Sequence, residues 1–338
     1  MTVEERQLII KKLINNEIQF KDLEADLRND REIVKTAVSH QWDAFQYVNE
    51  KFKNDREIVE TAVFRHGENL QYASEALRND KEIVKMAVAN SVEALQYAGE
   101  ALKDDEEVMI FAVMVSGNAL QYASEALRNN VEIVGLALLN FPGALQYAGE
   151  DVRKNRKIVL QAVTEDGDNL QFAGDTLRND KDLVKIAVLK KWYALRYAGE
   201  AVKNDKEIVV IAIMQDWCAL GLAGEEIRND PEIIELAASQ DRRTLVYAGE
   251  KLKDDDEFII KISEVIWNGF DRDQVTKEEL EDLRVVIKKI ADHERLAKIT
   301  LKEIPLLSSI IKNNESLAKV DREKLPQEFQ ELLKERRV

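Results

Sequence analysis

The residue types that most often carry chemistry are few and scattered in this sequence of 338 residues. It contains one cysteine, Cys218, and three histidines, His40, His66 and His293. A cysteine nucleophile requires a basic partner such as histidine, and a zinc site requires several such ligands at short spacings. Neither pattern is present, nor is a glycine-rich phosphate loop or a GxSxG or HExxH motif. We therefore predict that the chain is not an enzyme and has no catalytic residue, cofactor or metal site.

Two carboxylates near the C-terminus resemble the start of a calcium-binding loop. Asp271 and Asp273 have the spacing of its first ligands, but Thr276 replaces the glycine that the loop requires, and no glutamate closes it. A helix N-terminus explains these residues better. The alternative to a non-enzymatic chain is an enzyme or enzyme-associated module with its chemistry in residues 258–338 or in a groove between distant repeats.

An aromatic residue recurs at a constant spacing, usually after a glutamine, at Tyr47, Tyr72, Tyr97, Tyr122, Tyr147, Phe172, Tyr197 and Tyr247, with Leu222 as the exception. Such a ladder could stack nucleobases, and the glutamines could line a groove. A repeat protein that reads RNA needs a basic groove, whereas 49 Lys and Arg against 64 Asp and Glu give a net charge of −15. We predict that the ladder packs between repeats and that nucleic acid is not bound. A nucleic-acid reader is the third hypothesis.

The turns between repeats hold side chains that vary from one repeat to the next. Three of the four tryptophans share one turn position, and Trp, Tyr and Arg are the residues that most often anchor protein interfaces. We read the variation as freedom from packing and predict a protein-binding edge; the alternative is that each tryptophan folds over the adjacent turn. The predicted edge consists of Trp42, Phe64, Arg65, His66, Phe141, Lys190, Lys191, Trp192, Tyr193, Trp217, Arg242 and Arg243.

These side chains are positioned by an internal repeat that keeps a constant length of twenty-five positions, without insertion or deletion. An Asp or Asn marks each repeat, at Asp30, Asp55, Asp80, Asp105, Asn130, Asn155, Asp180, Asp205, Asp230 and Asp255. Asp and Asn are favoured helix N-caps because their side-chain oxygens accept unpaired backbone N–H groups. The repeat therefore predicts a helix that begins directly after each of these residues.

Each repeat divides into two predicted short helices, as residues 94–113 illustrate. Leu95, Ala98 and Leu102 form one stripe of helical periodicity before the Asp105 cap, and residues 108–113 contain another after it. Helices this short are marginal alone and must bury their stripes on neighbours. With only 13 Gly and 4 Pro, the chain is predicted to be all-α, an α-solenoid of nine to ten two-helix repeats in which small residues mark close helix crossings.

The ends depart from the repeat. Residues 1–27 are predicted to form N-terminal capping helices, residues 28–257 the repeats, and residues 258–338 a helical cap or small helical domain. Further helices are predicted at about 293–303, 305–313 and 326–336.

The repeated segments LQYASEALRND, ALQYAGEALKDD and KEIVKMAV resemble the family called domain of unknown function 4116. The resemblance covers about residues 28–257, and it departs where only Gly67, Gly117 and Gly167 keep the family's turn glycine. It implies a bacterial protein, since the family includes proteins that intracellular bacteria deliver into host cells, and it implies no established activity and no catalytic residues.

Together these observations favour a non-enzymatic scaffold that binds protein partners, with the oligomeric state left open. No apolar run has the length of a membrane span, and the first residues are acidic where a signal peptide needs a basic flank. A single cysteine is typical of a reducing compartment. We predict a cytoplasmic protein; the alternative is secretion into a host cell without a cleavable N-terminal signal.

Overall fold

The computed structural model describes residues 2–267, in which every regular element is an α-helix or a 3₁₀ helix. The fold is the all-α solenoid predicted from the repeat, with successive repeats packed on one another within each of two compact units. The first unit ends at Gly174 and the second begins at Asp175. The helices predicted beyond residue 267, the calcium-like segment and His293 lie outside the described residues.

Each repeat contains one long α-helix of 10 residues. In the first unit these are Arg31–His40, Arg56–Arg65, Lys81–Asn90, Glu106–Val115, Val131–Asn140 and Arg156–Glu165, preceded by Val3–Ile14. In the second unit they are Lys181–Lys190, Lys206–Gln215 and Pro231–Gln240, followed by Asp256–Trp267. The third, fourth, seventh and eighth residues of each long helix are buried, as Val108, Met109, Ala112 and Val113 show. This spacing gives a single apolar face that neighbouring repeats cover.

The rest of each repeat consists of a 3₁₀ helix and a single α-helical turn. The 3₁₀ helices are Phe20–Asp22, Leu27–Asn29, Ala44–Tyr47, Gly67–Tyr72, Val92–Tyr97, Gly117–Tyr122, Pro142–Tyr147 and Gly167–Phe172 in the first unit, and Trp192–Tyr197, Trp217–Leu222 and Arg242–Tyr247 in the second. The one-turn helices are Glu50–Lys53, Glu75–Arg78, Glu100–Lys103, Glu125–Arg128 and Glu150–Arg153, then Asp175–Arg178, Glu200–Lys203, Glu225–Arg228 and Glu250–Lys253.

The predicted cap residues directly precede the long helices. The side-chain carboxylate of Asp55 accepts the backbone N–H groups of Glu57 at 3.1 Å and Ile58 at 3.3 Å. Pro231 takes the first helical position after the Asp230 cap, where its missing N–H is not needed. The prediction that a helix starts directly after each Asp or Asn is confirmed.

The first half of each repeat differs from the predicted short α-helix. The 3₁₀ helix Val92–Tyr97 ends at Ala98, which is extended like Gly99, and only Glu100–Lys103 is α-helical. The N–H of Gly99 donates to the carbonyl of Arg78 in the preceding repeat at 2.9 Å. By leaving the helix here, the backbone gains a hydrogen bond between repeats. Apolar residues at i and i+3 suit a 3₁₀ helix as well as an α-helix, so periodicity could not separate the two.

The small residue in most of the extended segments lies close against a side chain of the preceding repeat. A Cβ on Gly99 would collide with the side chain of Asn79. One repeat earlier, the Ser74 hydroxyl fits because it donates to Asn54 Oδ1 at 2.7 Å. The predicted close approach is therefore present, but it brings a backbone segment against a polar side chain, where a crossing of two helices was expected.

Ion pairs between neighbouring repeats act on the carboxylates at the start of the long helices. The Lys35 ammonium and the Arg31 guanidinium lower the pKa of Glu57 from 4.5 to about 2. Arg31 also bonds Asp55 at 2.9 Å and holds the pKa of that carboxyl below its ordinary value. These carboxylates remain ionised well into the acidic range.

Acid is expected to destabilise the first unit through these carboxylates. A carboxylate whose pKa is lower in the folded than in the unfolded chain contributes stability above its unfolded pKa and loses it as pH falls through the folded value. For Glu57 this loss runs from pH 4.5 down to about 2. The urea midpoint, followed by far-UV circular dichroism, should fall over that range. It should fall less in Arg31→Gln/Lys35→Gln, and an equal fall would assign the effect to other groups.

Candidate protein-binding edge

From Gly67–Tyr72 onward, the turn that leads into each 3₁₀ helix is a single extended residue. Lys191 has φ −148° and ψ 111°, and its N–H donates to the carbonyl of Ala187 at 2.9 Å. Trp192 is then the first residue of the next 3₁₀ helix. The chain changes direction at Lys191, and this places the side chains around it at the C-terminal end of the long helix, with Lys190 exposed and Trp192 half-buried.

Aromatic and cationic side chains pack together directly after this turn. The Trp192 and Tyr193 rings meet edge to face at 5.6 Å and 88°. Lys191 Nζ lies 5.8 Å from the Tyr193 ring centre, and Arg196 Cζ lies 5.6 Å from it. Arg196 is also 5.9 Å from the Tyr197 ring. Cations are attracted to aromatic faces, so these side chains form one packed cluster on the surface.

The same segment is an island of positive charge in an acidic chain. Residues 183–199 contain four cations, at positions 185, 190, 191 and 196, and no Asp or Glu. Arg196 occupies the position that is glutamine in the repeats of the first unit from Gln46 to Gln171. Its exposed guanidinium therefore makes this repeat different in charge as well as in aromatic content.

Trp217 stands in the equivalent turn of the following repeat, and its indole packs on the repeat after that. Its ring lies 6.1 Å from Tyr247, and Arg243 Cζ lies 4.9 Å from its centre. Arg243 is held by Asp241, whose carboxylate accepts from Nη2 at 2.5 Å. Trp217 is half-buried, so it covers an adjacent turn while keeping an accessible edge. Arg242 begins the 3₁₀ helix Arg242–Tyr247, and its side chain lies outside what the structure describes.

The predicted edge residues of the first unit are exposed, but no aromatic or cation contact joins them within the described part of that unit. Trp42 is 71% exposed, and the run Phe64 to His66 and Phe141 are also exposed. The Phe141 ring lies over Gly143, since a Cβ there would meet it at 2.7 Å. The second unit thus holds the clustered half of the predicted residues, and the first unit holds isolated ones.

Variation at the turn position is not freedom from packing in every repeat. A Cβ on Gly67 would collide with the carbonyl oxygen of Ala87, and one on Gly117 with that of Ala137. Both glycines are buried against the next long helix. That part of the sequence interpretation was wrong for these repeats, because glycine is present where no side chain fits.

From Tyr72 onward, the tyrosine ladder lies half-buried between repeats. Phe45 and Tyr72 meet edge to face at 6.5 Å, and burial raises the pKa of the Tyr122 hydroxyl. The glutamines beside the tyrosines bond locally: Gln121 Nε2 donates to the Asn118 carbonyl at 3.1 Å. The ladder is therefore part of the packing, with exposed amides along it.

One set of exposed residues was, apart from Phe64, missed by the sequence analysis. The ninth residue of the long helix lies outside its buried face, yet it is large and apolar in five repeats, at Phe64, Met114, Leu139, Leu189 and Met214. The signal was available as an apolar residue that recurs in register with the repeat, beside the buried stripe. The periodicity of the buried stripe does not identify this position, because the ninth residue lies outside the stripe.

The residues considered for chemistry do not converge in the described part of the chain. Burial, together with the Asp216 carboxylate, raises the pKa of the Cys218 thiol to about 11, so little reactive thiolate forms at neutral pH. Among residues 2–267, no group of three or more His, Cys, Asp or Glu side chains could hold a metal ion. In the same range no helix is long and apolar enough to cross a membrane.

Comparison with protein families gives one result. The model of the domain of unknown function DUF4116 matches residues 6–53, 55–103, 105–153, 155–203, 193–228 and 205–253. Most of these matches span two of the repeats defined above. They begin at residue 6, whereas the resemblance in the sequence analysis begins at about residue 28. Searches of curated proteins and of solved structures returned no match.

Proposed function

Since its repeats are matched over most of their length, this chain belongs to the DUF4116 family, and we propose that it is a non-enzymatic scaffold that binds another protein. The contact surface is the second-unit edge, defined here as Lys190, Lys191, Trp192, Tyr193, Trp217 and Arg243. A solenoid repeats one supporting structure while its turns vary, which suits the presentation of side chains to a partner.

The observation that carries the proposal is the ordered cluster of aromatic and cationic side chains on this edge. Trp192 and Tyr193 fix one another edge to face, and Arg243 lies over Trp217. Aromatic and arginine side chains dominate the binding energy of protein interfaces. Because the rings are already held in place, less conformational entropy is lost when a partner binds.

The charge of the edge indicates the kind of protein partner. Residues 183–199 carry four cations and no acid. Lys185 pairs with Glu207 of the next helix, and an acidic surface on the partner would complement Lys190 and Arg196. The remaining surface repels such a partner because the whole chain has a net charge of −15. This difference in charge favours binding of an acidic partner at the second-unit edge and disfavours its binding on the rest of the surface.

The compartment is part of the proposal. A single cysteine in 338 residues is suited to a reducing environment, where disulfides do not form. We therefore place the protein in the cytoplasm, either of the bacterium that makes it or of a host cell that receives it, as the family resemblance implies for secreted members.

Replacing the aromatic residues of the edge should abolish partner capture. We expect Trp192→Ala/Tyr193→Ala/Trp217→Ala to capture about tenfold less partner protein, or less still. The measurement is affinity capture from native lysate followed by mass spectrometry. The physical reason is the loss of the buried aromatic contacts that hot spots provide.

The control is Gln121→Ala/Gln146→Ala, which removes two exposed amides that bond only to carbonyls three positions earlier. Both variants should retain the helical circular dichroism spectrum. Undiminished capture by the folded triple variant would remove the edge from the binding surface.

A further inference from the structure

A regular ladder of ion pairs links neighbouring long helices. The first residue of one long helix is a cation that pairs with the cap aspartate of the next helix, 24 positions later in the sequence. The pairs include Arg31–Asp55 at 2.9 Å, Arg56–Asp80 at 2.6 Å and Lys81–Asp105 at 2.6 Å in the first unit, and Lys181–Asp205 and Lys206–Asp230, both at 2.5 Å, in the second.

The ladder is interrupted at two consecutive helices of the first unit. The first helical residues there are Glu106 and Val131, and the caps that follow are Asn130 and Asn155. Asn130 Oδ1 still accepts the N–H of Glu132 at 2.9 Å, so the cap is kept and only its charge is absent. At these two helices of the first unit, the following cap is thus uncharged and the first helical residue is not a cation.

The same two helices also lack a second kind of ion pair. In three other long helices the fifth residue is a lysine that pairs with a glutamate of the next helix: Lys35 with Glu57, Lys85 with Glu107 and Lys185 with Glu207. In the interrupted helices this position is Ile110 and Gly135. In these two helices, neither the first nor the fifth position therefore holds a cation.

The result is an apolar surface on the outer side of the helices Glu106–Val115 and Val131–Asn140. Its exposed members, which we call the apolar window, are Ile110, Met114, Val115, Val131 and Leu139. Met114 is 63% and Leu139 is 73% exposed. A surface helix of a globular protein normally presents polar residues on this side, so exposed apolar residues on two neighbouring helices here indicate an interaction site.

The two helices of the window are joined by side-chain hydrogen bonds, and the window has the dimensions of a helix-binding surface. The Asn140 side-chain amide donates to the carbonyls of Val113 at 3.1 Å and Met114 at 3.2 Å, which ties the ends of the two helices together. From Glu106 to Met114 the helix rises about 12 Å, and packed helices lie about 8–10 Å apart. Two to three turns of a partner helix would cover this area.

The charge at the border of the window selects the partner. Glu106, Glu107 and Glu132 lie in the first turns of the two helices, next to the apolar residues, and Lys157 is the one exposed lysine in the first turn of the following helix. Among the described residues, Glu106 and Glu132 form no ion pair with the protein, whereas Glu107 pairs with Lys85. A second copy of the chain would bring the same acidic border and the same charge of −15, and an anionic lipid surface would also be repelled.

We propose that the apolar window binds a basic amphipathic helix of another protein. The apolar face of such a helix covers Met114 and Leu139, and its flanking Lys or Arg side chains approach Glu106 and Glu132. Anchors at helical spacing in an apolar surface are the usual mode of helix recognition. This surface is on the first unit and is separate from the edge proposed above, so either proposal can fail without the other.

The test uses the full-length chain and a synthetic, fluorescein-labelled Leu/Lys amphipathic peptide of about 14 residues, long enough for partial helicity. A Leu/Glu peptide of the same pattern is the charge control. By fluorescence anisotropy, the Leu/Lys peptide should bind at least about tenfold more tightly than the Leu/Glu peptide. Met114→Ser/Leu139→Ser should lower the affinity for the Leu/Lys peptide about tenfold or more.

The matched control is Leu189→Ser/Met214→Ser, which makes the same replacements at equivalent helix positions that are 57% and 61% exposed. It should leave peptide affinity unchanged, as should Trp192→Ala/Tyr193→Ala/Trp217→Ala. Equal weakening by both serine variants, or none by Met114→Ser/Leu139→Ser, would overturn the proposal, because binding would then follow net charge alone. The proposal would also be overturned if light scattering showed that the chain self-associates and that Met114→Ser/Leu139→Ser abolishes this association. The window would then bind a second copy of the chain.

Discussion

Leu195→Ala is expected to lower the free energy of unfolding by about 3–5 kcal/mol. Leu195 is fully buried in the 3₁₀ helix Trp192–Tyr197, which packs against the long helices Lys181–Lys190 and Lys206–Gln215. Truncation removes apolar contacts on both sides and leaves a cavity that two helices held by their own neighbours cannot readily close. Urea unfolding monitored by far-UV circular dichroism measures the loss.

The control for this substitution is Leu189→Ala, six positions earlier. Leu189 is 57% exposed, so the same change in side chain should alter stability by less than about 0.5 kcal/mol. Similar losses for the two variants would show that Leu195 is not packed between repeats.

Gly117→Ala is expected to destabilise the first unit by about 1–3 kcal/mol or more, the range for overpacking. The added methyl group would collide with the carbonyl oxygen of Ala137 and lie 2.8 Å from Phe141 Cβ. A backbone carbonyl within a long helix cannot rotate away as a flexible side chain can, so the helix Val131–Asn140 would have to shift. Thermal and urea unfolding should both register the change.

Gly135→Ala is expected to have the opposite effect on stability, although Gly135 lies in the helix that Gly117 contacts. A methyl group at Gly135 would meet only Ile158 Cδ1, at an ordinary distance of 3.7 Å, and alanine favours the helix over glycine by about 0.5–1 kcal/mol. We therefore expect this variant to be more stable than the parent chain. Destabilisation by Gly135→Ala, or tolerance of Gly117→Ala, would contradict the packing described for these two helices.

The candidate edge was only partly predictable. Trp192, Tyr193 and Trp217 stood out in the sequence because of their residue types and their shared turn position. Their separate contacts, with Trp192 on Tyr193 and Trp217 on Tyr247, depend on side-chain directions that spacing does not determine. Met114 and Leu139 were visible as a recurring apolar position, but only the packing of their helices makes them neighbours, so spacing alone did not define the apolar window.

By itself the sequence determined the repeat register, the caps and the buried stripe of each long helix, since these depend on residues close together in the chain and recur at one constant spacing. Only the tertiary structure decided that residues 92–97 form a 3₁₀ helix and that Gly117 is confined. In both cases the deciding partner belongs to a neighbouring repeat: the carbonyl of Arg78 for the segment that follows Tyr97, and the carbonyl of Ala137 for Gly117. A local pattern does not specify where such backbone groups of another repeat will lie.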